Sequence, residues 1–397
     1  MTRAGTAAEV FIVFLRLGVT SFGGPIAHLG YFRDDLVTRR RWMDDRAYAD
    51  LVALCQFLPG PASSQVGFAM GLQRAGFLGA LAAFLGFTLP SAALLVAFAA
   101  GASLFEGRVG GGILDGLKIV AVAIVAQAVW GMARSLTPDA PRAGIAVVAA
   151  ASALFIPGAY GQLGALVLGV VAGLVLLRGV AEPPGDALPS FGVSRVVAIG
   201  CLAVAALALI GLPALAAVTG SGAIALADAF FRSGALVFGG GHVVLPLLQA
   251  EVVQTGWVSP DAFLAGYGAA QAVPGPLFTF AAYLGDISSV GPGGLAGAAI
   301  ALGAIFLPGF LVLVGVLPFW DALRGRPRVR AAMRGANAAV VGILGAALYT
   351  PVFTTAVTGP GPFVLALAGF VLLTAFRTPA WAVVIVGALG GIVLAFV

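Results

Sequence analysis

One stretch of this chain occurs twice, and each time it stops a helix where an apolar run would otherwise carry it on. The first copy sets Arg16, Ser21, Phe22, Gly23, Gly24 and Pro25 in one motif, followed by Pro59, Gly60 and Pro61. The second sets Arg232, Phe238, Gly239, Gly240 and Gly241 in the same order, followed by Pro274, Gly275 and Pro276. Arginine-to-phenylalanine spacing is the same in both copies, and phenylalanine-to-proline spacing differs by one residue. A match in register across two motifs is an internal duplication.

The surroundings of the motifs identify the solvent. Apolar runs recur at Phe77–Ala100, Ile113–Ala133, Leu163–Leu177, Val196–Val218, Leu295–Leu317, Ala336–Leu348, Phe363–Phe376 and Ala380–Val397. A spanning helix needs ~20 mostly apolar residues, so several qualify and a few are short. Only 9% of residues are charged and the mean hydropathy is +1.07, far from a soluble composition. The chain therefore reads as an all-α polytopic membrane protein. Its first apolar stretch, Ala7–Leu15, runs into Arg16 rather than a small-residue cleavage site, so no cleavable leader is expected. Cys55 and Cys201 sit in apolar runs, which argues against a disulfide framework. With only His28 and His242 as histidines, neither a metal cluster nor a cofactor is expected.

Read in order, residues 8–21 are helical, Gly23 and Gly24 break them, and Pro25 suits the first position of a new helix. Tyr48–Leu58 is too short to span, Pro59–Pro61 interrupts it, and Ala62–Leu72 resumes. Irregular backbone at membrane depth survives only inside protein or beside a wet cavity. Each Pro-Gly-Pro element is therefore expected to be a re-entrant hairpin or a kinked span. Spans at 77–100 and 113–133 follow, then a shorter pair at 144–156 and 162–179. The polar, Pro-rich stretch 182–190 is a linker. On this division residues 1–180 are the first repeat, 181–221 the linker plus one extra span, and 222–397 the second repeat.

Charge sets the orientation. Arg33, Arg39, Arg40, Arg41 and Arg46 crowd the loop after the first broken helix, whereas its counterpart, Gln249–Pro260, holds no Lys or Arg. The reverse holds one loop later, where Arg324, Arg326, Arg328, Arg330 and Arg334 face Arg108 alone in the first repeat. Positive loops are cytoplasmic, so the repeats are expected upside down relative to each other, and the net charge of +5 needs no nucleic-acid partner. Inverted repeats with broken helices are a common architecture of secondary transporters.

The breaks also suggest chemistry. A half-helix start exposes backbone N–H groups and a dipole that favours anions. Four such starts lie at Pro25, Pro61, Gly241 and Pro276, with hydroxyls at Ser21, Ser63, Ser64 and Thr279 beside them. Gln56 and Gln271 sit three residues before each Pro-Gly-Pro. Arg16 and Arg232 hold equivalent places; each is either a fork for an oxyanion or a side chain that snorkels to the membrane surface. Lys118, with Asn337 as its counterpart, is a secondary candidate unless it simply pairs with Asp115. His28 and His242 follow the breaks and suit either proton coupling or a structural hydrogen bond.

Duplicated Phe-Gly-Gly and Pro-Gly-Pro motifs about 215 residues apart, in a hydrophobic chain of this length, resemble the long, two-domain form of the chromate ion transporter family. That resemblance implies export of chromate across a prokaryotic inner membrane and chromate resistance, with sulfate as the structural analogue. It implies as partners an oxyanion and the lipid bilayer, and leaves a homodimer open. The other classes are an oxyanion-selective channel and a reductase. No redox motif supports an enzyme, and no GxxxxGK[ST] loop supports direct ATP drive.

Overall fold

The computed structural model describes residues 5–22, 24–101, 107–156, 159–177, 191–237, 243–320 and 326–396. Gly23, Gly239, Gly240, Gly241, His242, Arg324 and the 182–190 linker lie outside them. Among the described residues the chain is helical without a strand.

The first repeat runs α1 (Ala7–Thr20), α2 (Gly24–Phe32) with a π-helical continuation (Arg33–Arg39), α3 (Asp45–Phe57), α4 (Ala62–Ala100), α5 (Gly107–Leu136), α6 (Ala140–Phe155) and α7 (Ala159–Leu176). After α8 (Arg195–Thr219) the order recurs as α9 (Gly222–Ala235), α10 (Val244–Leu248) with a π turn (Gln249–Val253), α11 (Pro260–Ala272), α12 (Phe280–Ile287), α13 (Gly294–Val316), α14 (Pro327–Ala347), α15 (Pro360–Thr374) and α16 (Ala380–Phe396). Side-chain caps start many of these helices. Thr6 accepts from Glu9 N at 3.1 Å, Asp44 from Ala47 N at 2.8 Å and Ser259 from Ala262 N at 3.2 Å, each satisfying an N–H the helix cannot.

α4 is two helices joined by a reversal. Ala75 leaves helical geometry and Gly76 takes φ +63°, so the chain folds back and Gly71 meets Gly79 across the turn. Similar close approaches join Gly18 to Gly86 and Gly285 to Gly297, where a missing side chain lets helices touch by backbone. At the reversal, Arg74 bonds Glu9 at 3.0 Å and lies 5.3 Å from the Trp42 ring centroid. The start of α1, the loop after the π segment and the turn of α4 thus meet at one end. From there α1 and α3 run inward, and α2 with its π segment and the first half of α4 run back.

The second repeat closes through contacts of its own. Ser289 N donates to Trp257 O at 3.0 Å, and Gly222 packs on Gly291. Along α4, Gly275 lies beside Ser91, and Tyr283, further from the break, lies 5.8 Å from Phe98. α12 therefore leads away from the Arg74 end, and the hairpins of the two repeats open toward opposite ends. Each repeat's outer pair packs on the other repeat: α6 and α7 against α14, α15 and α16 against α5.

Two expectations are revised. Helix α14 begins at Pro327, well before the apolar run Ala336–Leu348, because proline suits the first helical turn. Arg328, Arg330 and Arg334 consequently lie on a helix, not in a loop. Among the described residues, five helices are long and apolar enough to cross a bilayer. α8 is the least covered, with Val196, Ile210 and Val218 more than 70% exposed, a surface that suits lipid rather than water.

The opposite openings predict a labelling pattern. Single cysteines at Thr38 and Thr255, both exposed, in a background lacking Cys55 and Cys201, should react with impermeant maleimide from opposite faces of the membrane. Reaction of both from the same face would contradict the arrangement.

Candidate functional site

The breaks of the two repeats meet each other. Gly60 N donates to Val237 O at 2.7 Å, and Gly275 N donates to Ser21 O at 2.9 Å. Ser21 and Val237 immediately precede the two motif phenylalanines, so the pair of bonds is one interaction and its two-fold counterpart. Backbone groups orphaned by one repeat's break are satisfied by the other repeat's break.

This contact requires glycine. Gly60 and Gly275 have φ of +117° and +99°, a region closed to most side chains. A Cβ on Gly60 would lie 2.9 Å from Gly309 Cα, and one on Gly275 would lie 2.7 Å from Ser91 Oγ. Gln65 braces the first break, its Nε2 donating to Pro59 O and Gly309 O, both at 2.9 Å.

Around the junction lies a buried polar cluster. Ser21, His28, Ser63, Ser64, Thr88 and Ser91 are all at most 4% exposed. His28 Nδ1 lies 3.4 Å from Ser63 Oγ, its ring stands edge-on to Phe87, and Ser91 Oγ donates to Thr88 O at 3.1 Å. Ser21 Oγ, His28 Nε2, Ser64 Oγ and Thr88 Oγ1 are buried with no partner among the described residues. Such an unmade bond costs about 1–3 kcal/mol, so this concentration calls for a polar occupant. All four groups can donate a hydrogen bond, given the matching histidine tautomer, and they stand beside the N-terminal end of α4. The arrangement suits a small anion.

The cluster is lopsided. Under the repeat alignment, Ser21 corresponds to Val237, Ser63 to Phe278, Ser64 to Thr279 and Thr88 to Phe306. Thr279 spends its hydroxyl on Pro276 O at 2.7 Å. The second repeat therefore contributes mainly the backbone of its break.

The remaining candidates are dispersed. Arg16 is exposed on α1, and Arg232 is held by Asp228 and Glu251. The two arginines do not converge on the junction as expected, because their helices turn these positions outward and toward carboxylates. Lys118 bonds both Asp115, at 2.6 Å, and Asp261, at 2.8 Å. Gln56 is exposed, while Gln271 and Asn337 are half-buried, with Gln271 Nε2 and Asn337 Oδ1 unpartnered. Sequence reasoning missed Gln65, Thr88 and Ser91. The available signal was two hydroxyls flanking Pro90 in an otherwise apolar span.

Comparison with known proteins finds one family matching both halves of the chain. The sequence model of the chromate transporter family matches residues 8–177 and 224–392. A chromate transport protein of Pseudomonas aeruginosa is 29% identical over 96% of this chain and 90% of its own. A probable chromate transport protein of Synechococcus elongatus is 30% identical over 84% of this chain and 82% of its own. No solved structure gives a significant match.

The junction yields a direct test. Gly60→Ala and Gly275→Ala should each abolish transport, since both meet a forbidden φ and a packed neighbour. The protein inserted in the membrane, measured by quantitative blot, should fall less than transport does. Loss of both in step would instead mark the junction as a folding element alone.

Proposed function

The chain belongs to the chromate transporter family, and on that premise we propose that it exports chromate across the plasma membrane and so confers chromate resistance. Sulfate is the second oxyanion that the same site would accept, being tetrahedral, doubly charged and free of protons to donate. The observation that carries the reading is the reciprocal bonding of Gly60 to Val237 and Gly275 to Ser21, with four unpartnered donors around it.

The mechanism follows from how the breaks are built. The hairpins act as re-entrant elements whose tips lie near mid-membrane, with the inverted repeats opening to opposite faces. An anion held at Ser21, His28, Ser64, Thr88 and the start of α4 at Ser63 stands between the two openings. Rocking one repeat against the other about the tip junction exposes it to each side in turn. Both tips keep their backbone hydrogen bonds only while they stay together, which favours movement of whole repeats over separate opening of one tip. Outward movement of a dianion is assisted by an inside-negative potential, worth ~2.3 kcal/mol per charge per 100 mV.

Inverted membrane vesicles carrying the protein should accumulate chromate with saturation, and sulfate should compete. Loss of one charge-assisted hydrogen bond costs ~1.5–3 kcal/mol, so Ser64→Ala and Thr88→Val should each raise the half-saturation concentration about ten- to a hundred-fold. Non-saturating flux with large unitary currents would overturn the carrier reading in favour of a channel.

A further inference from the structure

A second cluster of charge lies inside the apolar body of the second repeat. Arg232 Nη2 lies 2.9 Å from Asp228 Oδ2 and 3.0 Å from Glu251 Oε2, and its Nε donates to Asp228 Oδ1 at 3.1 Å. The side chains of Asp228 and Glu251 are only 7% and 14% exposed. One guanidinium thus serves two buried carboxylates, which leaves a surplus negative charge when both are ionised. Ionisable groups at such depth are costly and mark functional positions.

The first repeat shows the opposite stoichiometry. Asp35 aligns with Glu251, and it is held by two arginines, Arg39 at 3.1 Å and Arg40 at 2.8 Å. Asp228 aligns with the exposed Ile12. The surplus carboxylate therefore belongs to the second copy and is not a requirement of the repeat's fold.

A separate observation points to what it binds. Arg232, Ser233 and Glu251 line a cavity of about 140 Å³ together with Gln162 of α7. Gln162 is 8% exposed, its Nε2 donates to Pro246 O at 2.8 Å, and its Oε1 has no donor among the described residues. A buried acceptor that shares a cavity with a surplus carboxylate is satisfied when that carboxylate gains a proton and donates its O–H.

We propose that Asp228, Arg232, Glu251 and Gln162 form a proton-binding site, with Glu251 the carboxyl that takes the proton and Gln162 Oε1 the acceptor of its O–H. Its occupancy is coupled to anion movement, a part that rests on the transport reading above, whereas proton binding itself does not. Among the described residues, the charged groups facing Glu251 are Asp228 and Arg232. α7 and α8 bring Gln162, Leu163 and Leu209 to the cavity. α11, which also packs on the π turn, carries Asp261, held by Lys118, and Tyr267, hydrogen-bonded to Gln271. The link to the junction is short. Arg232 lies on α9, five residues before Val237, whose carbonyl accepts from Gly60. A neutral Glu251 loosens its hold on Arg232, and α9 then tethers the junction less firmly to the π turn.

The test uses the full-length protein in lipid. In pH-difference infrared spectra, wild type should show the C=O stretch of a protonated carboxyl that grows as pH falls. Glu251→Gln, which imitates the protonated form, should lose that band, Glu251→Asp should keep it at a shifted pH, and Asp228→Asn, which leaves one carboxylate for the guanidinium, should move it to lower pH. Proteoliposomes loaded with a pH dye should report proton movement when chromate is added to wild type. Glu251→Gln should lose that signal while retaining chromate counterflow within about threefold, a change of ~0.6 kcal/mol. A band that survives in Glu251→Gln, or that stays at the wild-type pH or is absent at every pH in Asp228→Asn, would overturn the assignment of the proton. So would the absence of a titrating band in wild type. Sodium-driven chromate movement without a proton signal would overturn the coupling. Absent counterflow in wild type would instead count against the transport reading, and the infrared result would still decide whether the proton site exists.

Discussion

Two backbone hydrogen bonds, Gly60 to Val237 and Gly275 to Ser21, hold the arrangement together. A broken helix inside a bilayer leaves N–H and C=O groups with no water to bond, and the amides of Gly60 and Gly275 find their acceptors in the other repeat. Each repeat supplies an acceptor that the other lacks, so the two halves depend on each other at these buried breaks. The same constraint brings the glycines within reach of Gly309 and Ser91, where no side chain fits.

Symmetry of the backbone does not extend to the side chains. Duplication gave two copies of one scaffold, and the copies carry different polar groups. The first concentrates buried hydroxyls and His28 around the junction; the second carries Phe278 and Phe306 at matching positions and an ion-paired Arg232 elsewhere. On the proposed reading, one scaffold copy holds the polar occupant and the other lines it with apolar side chains.

The repeats are also woven together at their periphery. α6 and α7 cover α14, while α15 and α16 cover α5. Close glycine contacts such as Gly173 with Gly335 and Gly116 with Gly387 make these crossings tight. In lipid no hydrophobic force drives helices together, so close van der Waals contact carries much of the association. The pattern leaves α8 on the outside, where its apolar surface meets lipid.

Much of this was legible in the sequence. Apolar runs, the breaks at Gly23–Pro25 and Pro59–Pro61, the duplication and the arginine asymmetry depend on local composition and register, which a linear chain displays directly. Membrane physics narrows such patterns to broken helices, because the backbone must be satisfied within the protein. Partner choice is different, since it depends on where helices turn in space. Arg16 and Arg232 look alike in sequence, yet one ends exposed and the other between two carboxylates. Thr88 and Ser91 look like incidental hydroxyls until a reversal at Gly76 returns α4 past the junction. Glu251 and Gln162 are far apart in the chain and share a cavity only because α7 packs beside the second repeat. Which residues come together was therefore a tertiary decision, made by the contacts between the two halves.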